Sequence, residues 1–120
     1  MRHLITTMDF ACKRIKFEEL IKCSFGLNKT DYNLFMFLIK KRNYLTIKEI
    51  SDLSKLERST VQKSAKRLAE KNLVEKHQDN LDKGGYIYSY KIRDKEIIKK
   101  WIQKILENWS IKVKEEIERW

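Results

Sequence analysis

The sequence of 120 residues predicts a mainly α-helical fold with one small β-hairpin. Apolar residues recur every three to four positions over most of the chain, as on the buried side of a helix. Residues 86–92 instead alternate with the period of two that is typical of a strand. The three glycines, Gly26, Gly84 and Gly85, mark two breaks in these patterns. Because a chain of this length builds one hydrophobic core, we expect a single domain over residues 1–120.

Two helices are predicted in the first third of the chain. Residues 1–8 are expected to form a loose tail. The N-terminal region 9–26 is predicted to be a helix over 9–24, followed by a break at Gly26. The second helix begins after Asn28, where Asp31 completes a capping box, and it runs to about Lys41. Since apolar residues occur on nearly all sides of this helix, we expect it in the centre of the core.

Two shorter helices joined by about three residues follow a stub of strand at residues 44–45. A Thr-x-x-Glu capping box over 46–49 begins the third helix. The fourth helix starts between Glu57 and Ser59 and runs to Lys71. Asn72 then takes the left-handed conformation that ends a helix.

The remainder predicts a hairpin and a long last helix. Strand-like runs at 73–78 and 86–92 are joined by a loop rich in turn residues. Asp94 then caps a helix that extends to Trp120. A hairpin directly after two short helices predicts a winged helix-turn-helix over residues 27–93, flanked by the N-terminal helix of 9–26 and the C-terminal helix of 94–120.

The net charge of +10 favours partners that carry negative charge. Residues 40–71 hold ten Lys and Arg against four Asp and Glu, so they contribute +6 of that charge. A generally Lys-rich surface is the alternative explanation, and the clustering argues against it.

The fourth helix has a polar and basic face opposite the side formed by Val61, Ala65 and Leu68. Donors that reach base edges and cations that bind phosphates are what major-groove binding requires. The predicted DNA-binding residues are Arg58, Ser59, Thr60, Gln62, Lys63, Lys66 and Arg67 on this helix, Thr46 and Lys48 at the start of the third helix, and Lys83 at the hairpin tip. For the fourth helix, the alternative to DNA binding is an ordinary solvated helix face. For Lys83, which has Asp79 and Asp82 nearby, the alternative is that the hairpin only connects the two strands.

The last helix predicts a homodimer. A helix of 27 residues is about 40 Å long, which exceeds a compact domain of this size. Its apolar stripe therefore needs another surface, and a second copy that forms a coiled-coil-like pair is the simplest one. The predicted dimerisation residues are Ile98, Trp101, Ile102, Ile105, Leu106, Trp109, Val113, Ile117 and Trp120. Packing of this stripe against the first helix is the alternative.

No catalytic or metal-binding pattern stands out. The sequence has no Gly-rich phosphate loop, nucleophile elbow or Cys/His metal spacing, so no enzyme activity, cofactor or metal is expected. On one helix Cys12 and Cys23 would lie about 16 Å apart, too far for a disulfide, so we expect two buried free thiols. A redox-sensing pair between subunits is the alternative. Neither a membrane span nor a signal peptide is apparent, which favours the cytoplasm and association with the nucleoid.

Several segments resemble the archaeal TrmB-like regulators and, through them, the MarR superfamily. Residues 27–32, which lead into an apolar helix, are similar to the opening of these regulators, and residues 46–51 with 56–61 are similar to their helix-turn-helix. Residues 66–74 resemble the end of the family's recognition helix, with Asn72 where glycine is usual, and residues 85–88 resemble the returning wing strand.

The resemblance implies a dimeric transcriptional regulator in the cytoplasm of a prokaryote, and the archaeal relatives favour an archaeon. Full-length TrmB proteins also carry a large effector-binding domain, which the resemblance does not reach, so a sugar sensor is not implied. MarR-type wings usually present arginine, whereas this wing has Lys83. A non-specific architectural DNA-binding protein and a winged-helix adaptor for other proteins are the alternative functions.

Overall fold

The computed structural model describes residues 7–120 as five helices and five short strands. In chain order these elements are β1 (Thr7–Phe10), β2 (Lys13–Lys16), α1 (Phe17–Phe25), α2 (Lys29–Lys41), β3 (Leu45–Thr46), α3 (Ile47–Ser54), α4 (Arg58–Glu70), β4 (Val74–Asn80), β5 (Tyr86–Ile92) and α5 (Lys95–Arg119). The predicted fold class and the predicted order of elements from α2 onward are confirmed.

The first helix is shorter than predicted, and residues 9–16 were wrongly assigned to it. β1 and β2 form an antiparallel hairpin whose turn is Ala11 and Cys12. Ala11 has a φ of 48°, a conformation in which glycine or asparagine is usual, so the turn carries no sequence signal. The tail predicted over 1–8 lies outside the described residues except for Thr7 and Met8, which belong to β1.

The cysteines also differ from expectation, because both side chains are exposed rather than buried. Cys12 lies in the hairpin turn, and Cys23 lies on the solvent side of α1, where Ile21 is the buried residue. Both thiols are free, as predicted.

The core is built around α2, which packs against α1, α4 and the sheet. Leu34, Phe35 and Leu38 of α2 are each 1% exposed. Val61, Ala65 and Leu68 of α4 are fully buried, as their spacing predicts. Burial of these apolar side chains supplies the main favourable free energy of folding.

A three-stranded antiparallel sheet in the order β3-β5-β4 extends the helix-turn-helix. Val74 pairs with Ile92 and Asn80 with Tyr86, so the two long strands are in register along their whole length. Tyr90 and Ile92 join the core at the base of this hairpin, whereas its distal end is exposed. The predicted loop of seven residues shortens to 81–85 because β4 continues to Asn80.

The last helix begins at the N-cap Asp94, whose carboxylate accepts a hydrogen bond from the Glu96 N–H at 3.0 Å. Ile98 is buried in the core, and Trp101 and Ile102 pack against it. Beyond them α5 leaves the domain, which gives the molecule extents of 65 × 28 × 25 Å. No helix in the described part of the chain is long and apolar enough to cross a membrane.

Candidate nucleic-acid interface

Local structure fixes both ends of α3, the first helix of the helix-turn-helix. The Thr46 hydroxyl accepts from the Glu49 N–H at 3.1 Å, and the Glu49 carboxylate accepts from the Thr46 N–H at 2.9 Å, so the predicted capping box is complete. Lys55 ends α3 in the left-handed conformation, with φ 64°. Residues 55–57 then connect the two helices, and α4 starts inside the predicted interval.

The exposed face of α4 matches the predicted DNA-binding face in most positions. Arg58, Ser59, Gln62, Lys63 and Lys66 are exposed. Thr60 is half-buried at the edge of this face. Each of the exposed side chains points into solvent with donors that could reach a base edge or a phosphate.

The N-terminus of α4 is favourable for anion binding. Its first turn carries no acidic residue, whereas the first turns of α1, α2, α3 and α5 each carry at least one. The N-cap residue Glu57 makes no side-chain capping hydrogen bond, so the first N–H groups of the helix have no side-chain acceptor there. Such groups and the helix dipole together attract phosphate.

Arg67 occupies a different environment from the other predicted residues. Its guanidinium binds the carboxylate of Asp31, with Nη2 2.8 Å from Oδ1 and Nε 2.9 Å from Oδ2. The Ser64 hydroxyl donates a third hydrogen bond to Asp31 Oδ1 at 2.6 Å. The side chain of Asp31 is 2% exposed and that of Arg67 is 40% exposed. Arg67 therefore joins α4 to the first turn of α2.

This clamp of Asp31, Ser64 and Arg67 modifies one detail of the sequence prediction. Asn28 accepts from the Asp31 N–H at 2.8 Å, as the capping box requires. The Asp31 carboxylate, however, turns toward α4 instead of completing the box. Spacing within α2 gives no signal for such a contact, because its partners lie more than 30 positions along the chain.

The clamp keeps Asp31 ionised. Burial alone would raise the pKa of the Asp31 carboxyl, but the hydrogen bonds from Arg67 and Ser64 and the charge of Arg67 lower it below its ordinary value of 3.8. A buried carboxylate paired in this way fixes the helix that carries its partner.

The wing brings further groups toward α4. Lys66, Lys76 and Arg93 line one open groove of about 590 Å³, together with the acidic Glu70 and Glu75. The Lys76 ammonium lies 3.9 Å from the ring centre of Tyr88. The predicted DNA-binding residues do not include Lys76, although it is a cation within the strand predicted over residues 73–78. Lys83 is exposed in the loop at the wing tip, and Lys48 is exposed on α3.

The predicted dimerisation residues divide into two groups. Ile98 belongs to the core of the same chain, and Trp101 and Ile102 are half-buried against that core. The others are exposed along the projecting part of α5: Ile105, Leu106, Trp109, Val113, Ile117 and Trp120. Among the described residues no group of three His, Cys, Asp or Glu side chains could hold a metal ion.

Comparison of the sequence with known proteins finds a family of transcriptional regulators and an archaeal relative. The family model described as sugar-specific transcriptional regulator TrmB matches residues 21–96. Protein MJ1503 of Methanocaldococcus jannaschii is 34% identical over 107 residues, which cover 89% of this chain and 80% of that protein.

Two solved structures are also similar. A possible transcriptional regulator from Methanosarcina mazei Go1 has a TM-score of 0.89 and 40% identity, covering 96% of this chain and 97% of that one. Protein ST1889 from the thermoacidophilic archaeon Sulfolobus tokodaii has a TM-score of 0.65 at 22% identity, covering 80% and 93% of the two chains. The second likeness concerns the fold alone.

Proposed function

The chain belongs to the TrmB family of transcriptional regulators, and on that premise we propose that it binds double-stranded DNA sequence-specifically as a homodimer. Members of this family regulate transcription and are not enzymes. The observation that carries the proposal is the exposed polar and basic face of α4. This helix is the second of a helix-turn-helix whose first helix is capped, and a wing follows it. Such a regulator works at the DNA, which in a prokaryote means the cytoplasm and its nucleoid.

In the proposed complex α4 enters the major groove. Ser59, Thr60 and Gln62 supply neutral groups that can read base edges, and Arg58, Lys63 and Lys66 supply cations for guanine or phosphate. Thr46 and Lys48 bind the backbone at the start of α3, where the Thr46 hydroxyl still has its hydrogen to donate. Lys76 and Lys83 extend the contact along the wing. Arg67 acts as a positioning residue, since its guanidinium already binds Asp31.

The proposed dimer forms through the projecting part of α5. Trp109 and Ile117 are 61% and 62% exposed, and large apolar side chains clustered on one helix mark an interaction surface. A two-fold axis there would present two recognition helices, and a palindromic site with half-sites about 34 Å apart follows from that symmetry.

Equilibrium binding of variants tests the assignment of α4. Lys63→Ala and Arg58→Ala should each weaken binding to a selected duplex about tenfold and reduce the dependence of log Kd on log salt by about one unit. Lys100→Ala is the matched control, because Lys100 is an exposed cation on the side of α5 opposite its apolar stripe. Affinity unchanged in both α4 variants would refute the assignment of this face.

The same titrations separate the alternative functions. Equal affinity for unrelated duplexes, lost steeply as salt rises, would indicate an architectural protein. No binding even at low salt would indicate an adaptor for other proteins.

A further inference from the structure

The N-terminal hairpin of β1 and β2 has one apolar face and one charged face. Residues paired across the strands share a face, so Met8 with Ile15 and Phe10 with Lys13 lie on one side, which is apolar except for Lys13. The other side carries Asp9 and Arg14, which form an ion pair at 3.1 Å. Phe10 is 66% exposed and Met8 is 40% exposed. Ile15 is half-buried, so the described chain covers this face only in part and leaves Phe10 the most exposed.

A two-stranded hairpin with an exposed apolar face needs to pack against another surface to be stable. Two isolated strands are marginally stable in water at best. The turn adds to the cost, because Ala11 holds a left-handed conformation that its Cβ disfavours. Within the chain the hairpin packs mainly against the start of α1, which follows it directly.

The projecting part of α5 is a second surface that the described residues 7–120 leave exposed. Ile105, Trp109, Val113 and Ile117 follow one another at intervals of four, so their row winds around the helix. Ridges of this kind favour helices that cross at about 50°, which is steeper than in the coiled-coil-like pair expected from the stripe as a whole. Two α5 helices that cross in this way separate toward their ends, and Ile117 and Trp120 then stay exposed to solvent.

We propose that the hairpin of each protomer is an arm that covers the distal end of α5 in a second copy of the chain. This inference rests on the proposed homodimer and adds a component to it. In each protomer Phe10 and Met8 would pack on the partner's stripe beyond the crossing point. The position of the hairpin supports an arm, because it extends from the N-terminus of α1. The opposite end of α1, at Phe25, lies beside Trp101 and Ile105 of the same α5.

Charge and area agree with this occupant. The hairpin has a net charge of +2, which Lys13 and Lys16 supply because Asp9 and Arg14 pair with each other. Residues 113–120 have a net charge of −1, with three Glu against one Lys and one Arg. The exposed apolar side chains of hairpin and α5 together offer on the order of 1,000 Å² per protomer, compared with about 800 Å² per partner in a standard stable interface.

Photo-crosslinking between copies tests the arm. Phe10 is replaced by p-benzoylphenylalanine in ¹⁵N-labelled protein, which is mixed with unlabelled protein, equilibrated and irradiated. We expect mass spectrometry to find labelled hairpin peptides joined to unlabelled peptides from residues 106–120. Crosslinks confined to one chain, crosslinks to the partner's hairpin, or none in a sample that sedimentation shows to be dimeric would overturn the arm and leave the dimer intact. A monomer would overturn both.

A second measurement uses two hairpin variants in sedimentation equilibrium. Phe10→Ser removes apolar contact area, and we expect it to raise the dimer Kd by about tenfold or more. Arg14→Ser, on the charged face of the same hairpin, is the matched control and should leave the Kd within about twofold. An equal Kd for wild type and Phe10→Ser would overturn the arm. Because Phe10 lies outside the core, circular dichroism should show both variants folded.

Discussion

Breaking the clamp between α2 and α4 should destabilise the protein more when the cation is removed than when the anion is removed. Arg67→Met keeps the alkyl chain of Arg67 but leaves the carboxylate of Asp31 buried without a countercharge. Loss of one partner from a buried ion pair costs about 3–5 kcal/mol. Since the side chain of Arg67 is 40% exposed, water can approach the site, and we expect about 3 kcal/mol.

Asp31→Asn should cost less. The freed guanidinium of Arg67 can turn to solvent, and the amide keeps an oxygen that can accept from Ser64. The loss is then that of charge-assisted hydrogen bonds, about 1.5–2 kcal/mol. The double variant Asp31→Asn/Arg67→Met should be destabilised by clearly less than the sum of the two, because each single change removes the same interaction.

The pH dependence separates this explanation from simple loss of packing. In the wild type the pKa of Asp31 is held below 3.8, so its contribution to stability is present above that pH and is lost as the pH falls through the lowered pKa. In Arg67→Met, burial without the cation should raise the pKa of Asp31. That variant then gains stability relative to wild type as the pH falls.

Urea unfolding of the four proteins at several pH values between 7 and about 3 measures these differences. We expect the gap between wild type and Arg67→Met to shrink as the pH falls. Additive effects in the double variant, or a gap independent of pH, would refute the argument. If Arg67 instead bound DNA directly, Arg67→Met would weaken DNA binding as strongly as Lys63→Ala while leaving the free energy of unfolding unchanged.

Three further predictions concern other parts of the molecule. Thr46→Ala should lower the free energy of unfolding by about 1 kcal/mol because it removes the side-chain half of the α3 capping box, while Thr46→Ser should restore most of it, as measured by urea unfolding. Arg42→Gly should raise that free energy by roughly 0.5–1 kcal/mol because Arg42 has a φ of 62°, whereas Lys40→Gly inside α2 should lower it by about 1 kcal/mol; equal effects would contradict the backbone explanation. Lys83→Ala should reduce the salt dependence of DNA binding by about one unit if the wing tip contacts phosphate, and an unchanged slope would limit the wing to a structural role.

Regular helices were predictable because local signals and core burial agree in them. Asn28 and Thr46 cap α2 and α3 where predicted, and the left-handed residue Asn72 follows the end of α4, whose apolar spacing marks its buried side. The β-hairpin at 7–16 was missed because Ala11 and Cys12 form its turn without glycine, asparagine or proline. Its side chains are mostly exposed, so no core pattern marks its strands.

The candidate site shows the same division between local and distant information. Helical periodicity correctly separated the exposed Ser59, Lys63 and Lys66 from the buried Val61 and Ala65. It also placed Arg67 on the exposed face, where only tertiary structure reveals its partner. Asp31 is 36 positions away from Arg67, and no local pattern records a contact over that distance.

Selection from a random-sequence duplex library at two salt concentrations, followed by sequencing, tests the central claim most directly. We predict a two-fold symmetric motif, with half-sites about one helical turn apart, that persists at the higher salt. Wild type and Lys63→Ala should be selected in parallel, and the variant should lose preference at bases within each half-site. Binding without any motif, abolished as the salt concentration rises, would contradict a sequence-specific regulator.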